Sequence, residues 1–250
     1  MNEIIESLYR RKSVRAYTEE PVDAQTKRAI LEAAVQAPTA GNQQLYTILD
    51  VTDRALKEKL AVTCDNQPFI ARAPVVLIFC ADCQKWQDAF EAGGCGPRLP
   101  GEGDLLLAVD DALIAAQNAV VAAESLGLGS CYIGDVMERC EEHRALLRLP
   151  EYVFPAAMLV MGWPTQQQKD RPKPPRAALE HIVHENAYRR MEPAELEAML
   201  SPHAGARPYR DWLAAFCARK YNSEFSGEMT RSVRAYLAAF CEKAAGVNKK

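Results

Sequence analysis

Residues 10–15 read Arg-Arg-Lys-Ser-Val-Arg and place four cationic side chains and one hydroxyl within six positions. The stretch follows an apolar turn that contains Ile4, Ile5 and Leu8, and it precedes Tyr17, so it is embedded in folded chain. Guanidinium groups match phosphate oxygens, a lysine adds a point charge, and a serine hydroxyl donates one more hydrogen bond. The stretch therefore favours an anion site. A solvated basic turn or a weak nucleic-acid patch is the alternative that it leaves open by itself.

A second stretch, residues 37–44, reads Ala-Pro-Thr-Ala-Gly-Asn-Gln-Gln. Together with residues 11–15, the pair Pro21-Val22 and a helical pattern at 30–34, it resembles the opening of the nitroreductase family of FMN-dependent oxidoreductases. The motifs stand in the family's order and at its spacing, and the resemblance runs from about residue 3 to about residue 188. Where the family continues with Pro-Trp this chain has Leu45-Tyr46, a difference that concerns the substrate pocket.

The resemblance implies an α+β fold, in which helices flank a central, mostly antiparallel sheet. It implies a homodimer whose C-terminal tail crosses to the partner's sheet. We expect a catalytic, FMN-binding domain at residues 1–190. A helical extension at residues 191–250 would pack on that domain or on the dimer partner.

The resemblance also implies an activity. Hydride would pass from NADH or NADPH to bound FMN and then to an electron-poor acceptor such as a nitroaromatic or a quinone. Related chemistry in this fold, such as ene reduction or dehalogenation, is an alternative, and so is a flavin-binding or partner-binding module without turnover. Since no dinucleotide-binding glycine motif is present, the nicotinamide would use the same cleft as the acceptor, which predicts ping-pong kinetics.

The residues that the resemblance assigns to the cofactor fall into five groups. The phosphate and ribityl side would meet Arg11, Lys12 and Ser13, and the pyrimidine edge would meet Arg15, whose charge favours the reduced ring. The ring would be approached by Pro38, Thr39, Ala40 and Asn42 of the other subunit, and by the amide of Asn66. The other face would be lined by Cys131, Tyr132, Ile133 and Gly134. A late basic pair, which the family usually separates by one residue, is assigned to Lys173 and Arg176.

The pattern of apolar runs predicts the elements that carry these residues. Strands are expected at residues 46–51, 74–80, 131–133 and 152–161, and a further strand at 179–184. An apolar run at 105–126 predicts the central helix, and another helix is expected from 134 to 147. Residues 93–103 hold five glycines and two prolines, which is typical of an exposed loop that covers an active site. Two amphipathic helices follow in the last fifty residues.

Composition limits the other classes of function. A net charge of −3 favours neither nucleic acid nor an anionic membrane as a partner. Eight cysteines without a secretory signal indicate free thiols in a cytoplasm, and Cys80 and Cys83 are interpreted as buried thiols at a strand end. His181 and His184 would point to opposite faces of a strand, so we expect no metal site.

Overall fold

The computed structural model describes residues 1–241. Two compact units divide the chain. The first comprises Met1–Arg171 together with the chain from Glu228 onward, and the second comprises residues Pro172–Gly227. The predicted functional division at residue 190 stays a prediction.

The first unit is built on a four-stranded antiparallel sheet in the order β1-β2-β4-β3. The strands are β1 (Tyr46–Asp50), β2 (Val75–Asp82), β3 (Gly129–Ile133) and β4 (Val153–Gly162). All four were predicted, within a few residues at each end, and the α+β fold with an antiparallel sheet is confirmed.

Helices surround this sheet or make up the second unit. The α-helices are α1 (Glu3–Arg10), α2 (Ala24–Ala34), α3 (Arg54–Thr63), α4 (Pro68–Arg72), α5 (Gln84–Ala92), α6 (Glu102–Ser125), α7 (Cys140–Leu147), α8 (Gln166–Asp170), α9 (Pro193–Ala204), α10 (Tyr209–Lys220) and α11 (Glu224–Cys241). Short 3-10 turns lie at Ala40–Asn42, Asp135–Met137 and Leu179–His181.

Strands β2 and β4 are buried at every position, as their uninterrupted apolar sequences predict. Alternate side chains of β2 enter two different cores, because successive residues of a strand point to opposite faces. Leu77 and Phe79 pack in the core that α2 and α6 cover, whereas Val76 and Ile78 pack in the core that α3 covers. The sheet is therefore the middle layer of three.

Helix α6 is the central helix that the sequence predicts. By length and composition it could cross a membrane, yet it packs onto α2, β2 and β4. Its buried face is mostly alanine and also carries the carboxylate of Asp111, which is 2% exposed. On its other face Leu106, Leu107, Leu113 and Ile114 are 39–65% exposed.

Two elements were predicted with the wrong secondary structure. Residues 179–184 form a 3-10 turn instead of a strand, because the amides of His181 and Ile182 bond to carbonyls three residues earlier. The predicted helix from 134 to 147 is interrupted, since Arg139 adopts a left-handed conformation (φ 49°) between a 3-10 turn and α7. Helix α9 was not predicted.

Candidate functional site

The basic stretch is fixed by pairing with the edge of the sheet. Ser13 forms a parallel bridge with Ser130 of β3, and the Val14 amide donates to the Ser130 carbonyl at 2.8 Å. This approach requires Gly129, because an added Cβ there would lie 2.5, 2.7 and 2.9 Å from atoms of the Val14 side chain. The middle of the basic stretch is therefore fixed alongside β3 by an isolated parallel bridge.

A second anchor lies at Tyr17. Its hydroxyl donates to the Val14 carbonyl at 2.8 Å, and its ring lies so close to Gly162 that a Cβ there would be 2.9 Å away. The next amide, of Thr18, donates to the Trp163 carbonyl at 2.8 Å. The backbone on both sides of Arg15 is thus held in place, which presents the basic side chains at a fixed position.

Arg171 closes the cluster, although it was absent from the predicted site. Its guanidinium donates to the Ser13 carbonyl, and the ammonium of Lys12 donates to the carbonyls of Lys169 (2.6 Å) and Arg171. A sequence signal existed, because Arg171 and Lys173 are separated by one residue, the usual spacing of the family's late basic pair. We call residues 11–15, Ser130 and Arg171 the basic seam.

Three polar atoms of the basic seam are buried without a hydrogen-bond partner among residues 1–241: Arg11 Nε, Arg171 Nε and Ser130 Oγ. Buried polar groups are nearly always paired, so such atoms call for an unseen partner. All three can donate a hydrogen bond, as phosphate oxygens require. The residues present therefore fit a bound phosphate group.

The charges of the basic seam act on β3. Burial raises the pKa of the Cys131 thiol, and the charge of Arg15 partly offsets that rise. Burial likewise raises the pKa of Tyr132 to about 12, against an opposing effect of Arg11. Within residues 1–241, neither arginine forms an ion pair with a carboxylate, so both charges remain available to a ligand. The structure thus brings residues 11–15 and 130–134 together.

Residues 39–45 form a separate loop, held by the buried carboxylate of Asp111. That carboxylate accepts the amides of Ala40 (2.9 Å) and Leu45 (3.1 Å). Gly41 and Asn42 lie at φ 56° and 57°, so the backbone turns sharply between these two bonds. Among residues 1–241 no hydrogen bond or ion pair joins this loop to the basic seam. The placement of Pro38, Thr39, Ala40 and Asn42 against a flavin stays a prediction.

Asn66 lies at the end of α3 in a left-handed conformation (φ 51°), with an exposed side chain. Its neighbours Cys64 and Asp65 lie close to Glu138, just beyond Gly134. The structure thus brings Asn66 near the end of the 131–134 segment, while its contact with a flavin stays a prediction.

Lys173 and Arg176 belong to the second unit. The guanidinium of Arg176 is exposed and donates to the carbonyls of Pro174 (3.2 Å) and Pro175 (3.4 Å). Their predicted role at a phosphate stays a prediction.

A cavity of about 450 Å³ lies away from the basic seam. It is bounded by α5, by residues 95–100, by the start of α6 and by Gln43 and Leu45 of the 39–45 loop. A smaller cavity of about 220 Å³ adjoins Lys12, Gly129 and Gln168. The basic seam and the larger cavity thus share no residue within the described part of the chain. The 39–45 loop contributes Gln43 and Leu45 to the cavity and so places it beside a predicted cofactor segment.

The CxxC pair lies apart from the basic seam, although Cys83 lines the larger cavity. Cys80 and Cys83 are buried free thiols, and burial raises the pKa of each to about 12. Thiols of that kind are inert at neutral pH, which agrees with the structural interpretation of this pair.

The chain was compared with known proteins. A family model described as Nitroreductase family matches residues 8–163. A Bacillus subtilis protein named FMN reductase [NAD(P)H] is 34% identical over 245 residues, which cover 94% of this chain and 91% of that protein. A Salmonella typhimurium protein named oxygen-insensitive NADPH nitroreductase is 36% identical, with 77% of each chain covered.

A solved structure agrees with the fold. The NADPH:FMN oxidoreductase from Vibrio harveyi, in complex with NAD+, superposes with a TM-score of 0.80 at 25% identity. The superposition covers 94% of this chain and 98% of that one.

Proposed function

Because this chain belongs to the nitroreductase family, we propose that it passes hydride from NAD(P)H, by way of bound FMN, to a nitroaromatic or a quinone. The enzyme is an NAD(P)H-dependent flavin oxidoreductase with FMN as cofactor, as the family and its relatives support. The sequence-based predictions of family, fold class, enzyme class and cofactor are thereby confirmed. The acceptor and the kinetic mechanism are our proposals.

The observation that carries the proposal is the set of three unpaired buried polar atoms in the basic seam. We assign the FMN phosphate to Arg11, Ser13, Ser130 and Arg171, with Lys12 holding the chain of Arg171 in place. A dianion there would satisfy the orphan donors and neutralise charges that have no carboxylate partner.

Arg15 would act on the electronics of the ring. Its amide is held by the Gln168 side chain at 3.2 Å, and its guanidinium is exposed beside Cys131 and Tyr17. A fixed positive charge stabilises negative charge that develops nearby, at no cost of reorganisation. We propose that Arg15 faces the pyrimidine edge, where hydride transfer places such charge.

Residues on both sides would orient the ring. Tyr132, Ile133 and Gly134 continue β3 beyond the phosphate contacts and would lie along one face, with Asn66 nearby. Pro38, Thr39, Ala40 and Asn42 would approach from the partner subunit.

A homodimer is part of this proposal. Helix α1 lies against α6, and both expose apolar side chains: Ile4, Ile5, Leu8 and Tyr9 on α1, and Leu106, Leu107, Leu113 and Ile114 on α6. Contiguous exposed apolar surface of this kind marks protein interfaces. In the second unit Leu179, Ile182 and Val183 are 58–73% exposed, as a tail that exchanges between subunits would require. Light scattering tests the dimer, and a monomer at micromolar concentration would contradict it.

Localisation in a cytoplasm remains a proposal. It is supported by the eight cysteines, none of which forms a disulfide within residues 1–241, as in a reducing compartment.

The decisive experiment reconstitutes the protein with FMN and follows oxidation of NADH and NADPH with a nitroaromatic or a quinone. We expect a yellow protein that turns over, with parallel double-reciprocal plots when donor and acceptor are varied. Intersecting lines would contradict ping-pong kinetics, and a colourless protein would contradict the cofactor assignment. A yellow protein that oxidises neither donor would instead be a flavin-binding module, and products from enoates or aryl halides would indicate the related reductive chemistries.

A further inference from the structure

The cavity of about 450 Å³ beside the 39–45 loop has the dimensions of a small-molecule site. Pockets that bind such ligands span roughly 300–1,000 Å³ and are lined mainly by apolar and aromatic side chains. Here the apolar walls are formed by Leu45, Trp86, Phe90, Pro97, Pro100 and Leu107. The size and the walls suit one flat organic molecule.

Two aromatic rings form one wall of this cavity. The ring centroids of Trp86 and Phe90 are 5.3 Å apart and their planes are inclined by 41°. The indole nitrogen of Trp86 donates to the Gln43 carbonyl at 2.8 Å, which fixes the ring against the loop that Asp111 holds. A planar aromatic ligand could stack on this wall, and its approach would bring it beside the loop assigned to the flavin.

Most polar groups around the cavity are already paired. The Gln87 side chain donates to Glu91 at 2.7 Å, and the indole nitrogen of Trp86 donates to the Gln43 carbonyl. Among the lining residues in the described part of the chain, Arg98 is the only cation. Its side chain is 66% exposed, and its terminal guanidinium nitrogens donate to Asp104 and to the Leu99 carbonyl.

Asp104, the ion-pair partner of Arg98, has a further hydrogen bond that does not involve the arginine. The Asp104 carboxylate accepts hydrogen bonds from the two terminal guanidinium nitrogens of Arg98, at 2.5 and 2.9 Å. It also accepts one from the Gly101 amide at 2.8 Å, as part of the cap of α6. If Arg98 turned toward a ligand, Asp104 would keep its bond to the helix terminus. Exposed ion pairs contribute little to stability, so a ligand carboxylate can compete for this arginine.

The segment that covers the cavity has room to move. Gly94 and Gly96 adopt left-handed conformations (φ 68° and 59°), and a Cβ at either would meet nothing within 4 Å. The Arg98–Asp104 pair ties this segment to α6.

We propose that this cavity binds the acceptor, and that the acceptor it prefers is a flat, electron-poor aromatic molecule with an anionic substituent. The ring stacks on Trp86 and Phe90, and the anion pairs with Arg98. This inference rests on the proposed function, since it takes the oxidised substrate as the ligand. It adds the substrate class and a specificity-determining residue.

The test uses FMN-loaded protein and the probe 4-nitrobenzoate. Cys95 lines the cavity and is exposed, so its alkylation by iodoacetamide reports occupancy. Replacing the other two exposed cysteines (Cys217→Ser, Cys241→Ser) removes competing sites, and mass spectrometry gives the rate at Cys95. Saturating 4-nitrobenzoate should slow this alkylation at least about fivefold, because a bound ring shields the thiol. No protection would overturn the inference.

Arg98→Gln tests the charge. It should weaken protection by 4-nitrobenzoate about tenfold and protection by uncharged nitrobenzene less than about threefold, since only the former pairs with the guanidinium. Arg98→Lys should restore part of the loss. Arg54→Gln is the matched control, because Arg54 forms a similar exposed pair with Glu58 far from the cavity. Equal losses for the charged and the neutral probe would overturn the role of Arg98.

The two proposals can fail separately. Turnover of 4-nitrobenzoate without protection of Cys95 would reject the cavity and leave the proposed function standing. Protection without turnover of any nitroaromatic or quinone would reject the proposed function.

Discussion

Glycines serve opposite purposes in two regions of this protein. Beside the basic seam, Gly129 and Gly162 are in contact with Val14 and Tyr17, and an added Cβ would approach atoms of these residues within 3 Å. In residues 93–103, Gly94, Gly96 and Gly103 have nothing within 4 Å of that position. The first region uses glycine for close packing and the second for open space. Close packing therefore fixes residues 11–15, which would hold the cofactor, whereas residues 93–103 beside the cavity have open space around these glycines.

The largest effect is expected where the packing is tightest. Gly129→Ala should destabilise the fold by about 3 kcal/mol, because a methyl group would overlap Val14 and push residues 11–15 off β3. FMN affinity should fall at least about tenfold, since the phosphate contacts depend on that pairing. Urea unfolding and flavin fluorescence titration measure the two effects.

Gly103→Ala is the matched control from the open region. It lies inside α6 with space for a methyl group, and we expect a gain of about 0.5 kcal/mol from helix propensity. If both alanines had the same effect, the contrast between the two regions would be wrong.

The second-largest effect is expected at Asp111, whose carboxylate holds the 39–45 loop. Asp111→Asn should cost about 2 kcal/mol, because one of two buried amides would face an NH₂ group. The KM for the acceptor should rise as residues 39–45 loosen. Asp110→Asn, at the exposed neighbouring position, should change stability by less than about 0.5 kcal/mol. Equal effects of the two substitutions would show that Asp111 is not the anchor.

The buried carboxylate of Glu138 contrasts with that of Asp104, whose side chain is 32% exposed. Burial raises the pKa of Glu138 to about 7, and Asp135 and Asp65 add to the rise. The folded state therefore holds this proton more tightly than the unfolded state, and stability is lost as pH rises from about 4.5 to about 7. Glu138→Gln should be more stable than the parent protein by about 1.5 kcal/mol at pH 8, and nearly equal at pH 4.5. Unfolding curves at both pH values decide this, with Glu19→Gln as the exposed control.

The smallest effect is expected at Arg15, whose proposed role in the basic seam is electrostatic and does not depend on packing. Arg15→Ala should leave folding intact and slow reduction of bound FMN by NAD(P)H about tenfold, because a preorganised charge is lost. Stopped-flow absorbance measures this step. Arg10→Ala, which removes an exposed charge next to the seam, is the control. An unchanged reduction rate in Arg15→Ala would contradict the role assigned to this charge.

Much of the fold was readable from sequence because burial leaves a local mark. The apolar runs of β2 and β4 predict strands that are covered on both faces, and the alanine-rich run of α6 predicts the central helix. Asp23, a residue type that favours the N-cap position, caps α2, and its carboxylate accepts the Thr26 amide at 2.9 Å. Residues 179–184 were predicted wrongly, because a short stretch with three apolar residues does not reveal whether a neighbouring strand is available to pair with it.

The site was predictable only in part, because local motifs name its residues and do not show which of them lie together. Residues 11–15 and 130–134 could be named from motifs, but their pairing through Ser13 and Ser130 could not, since it joins segments more than a hundred residues apart. Arg171 was overlooked in favour of Arg176 despite its one-residue spacing from Lys173, and the contact of its guanidinium with the Ser13 carbonyl shows where it lies.

By itself, the sequence determined the family, the antiparallel sheet, the flavin chemistry and the basic stretch that opens the chain. These depend on residue types and short spacings, which the linear chain displays directly. The tertiary structure alone decided which donors remain unpaired, that Asp111 holds the 39–45 loop, and that a cavity lined in part by Arg98 lies beside that loop. Such features arise from contacts between distant segments, and the free energy of those contacts depends on packing that no local pattern records.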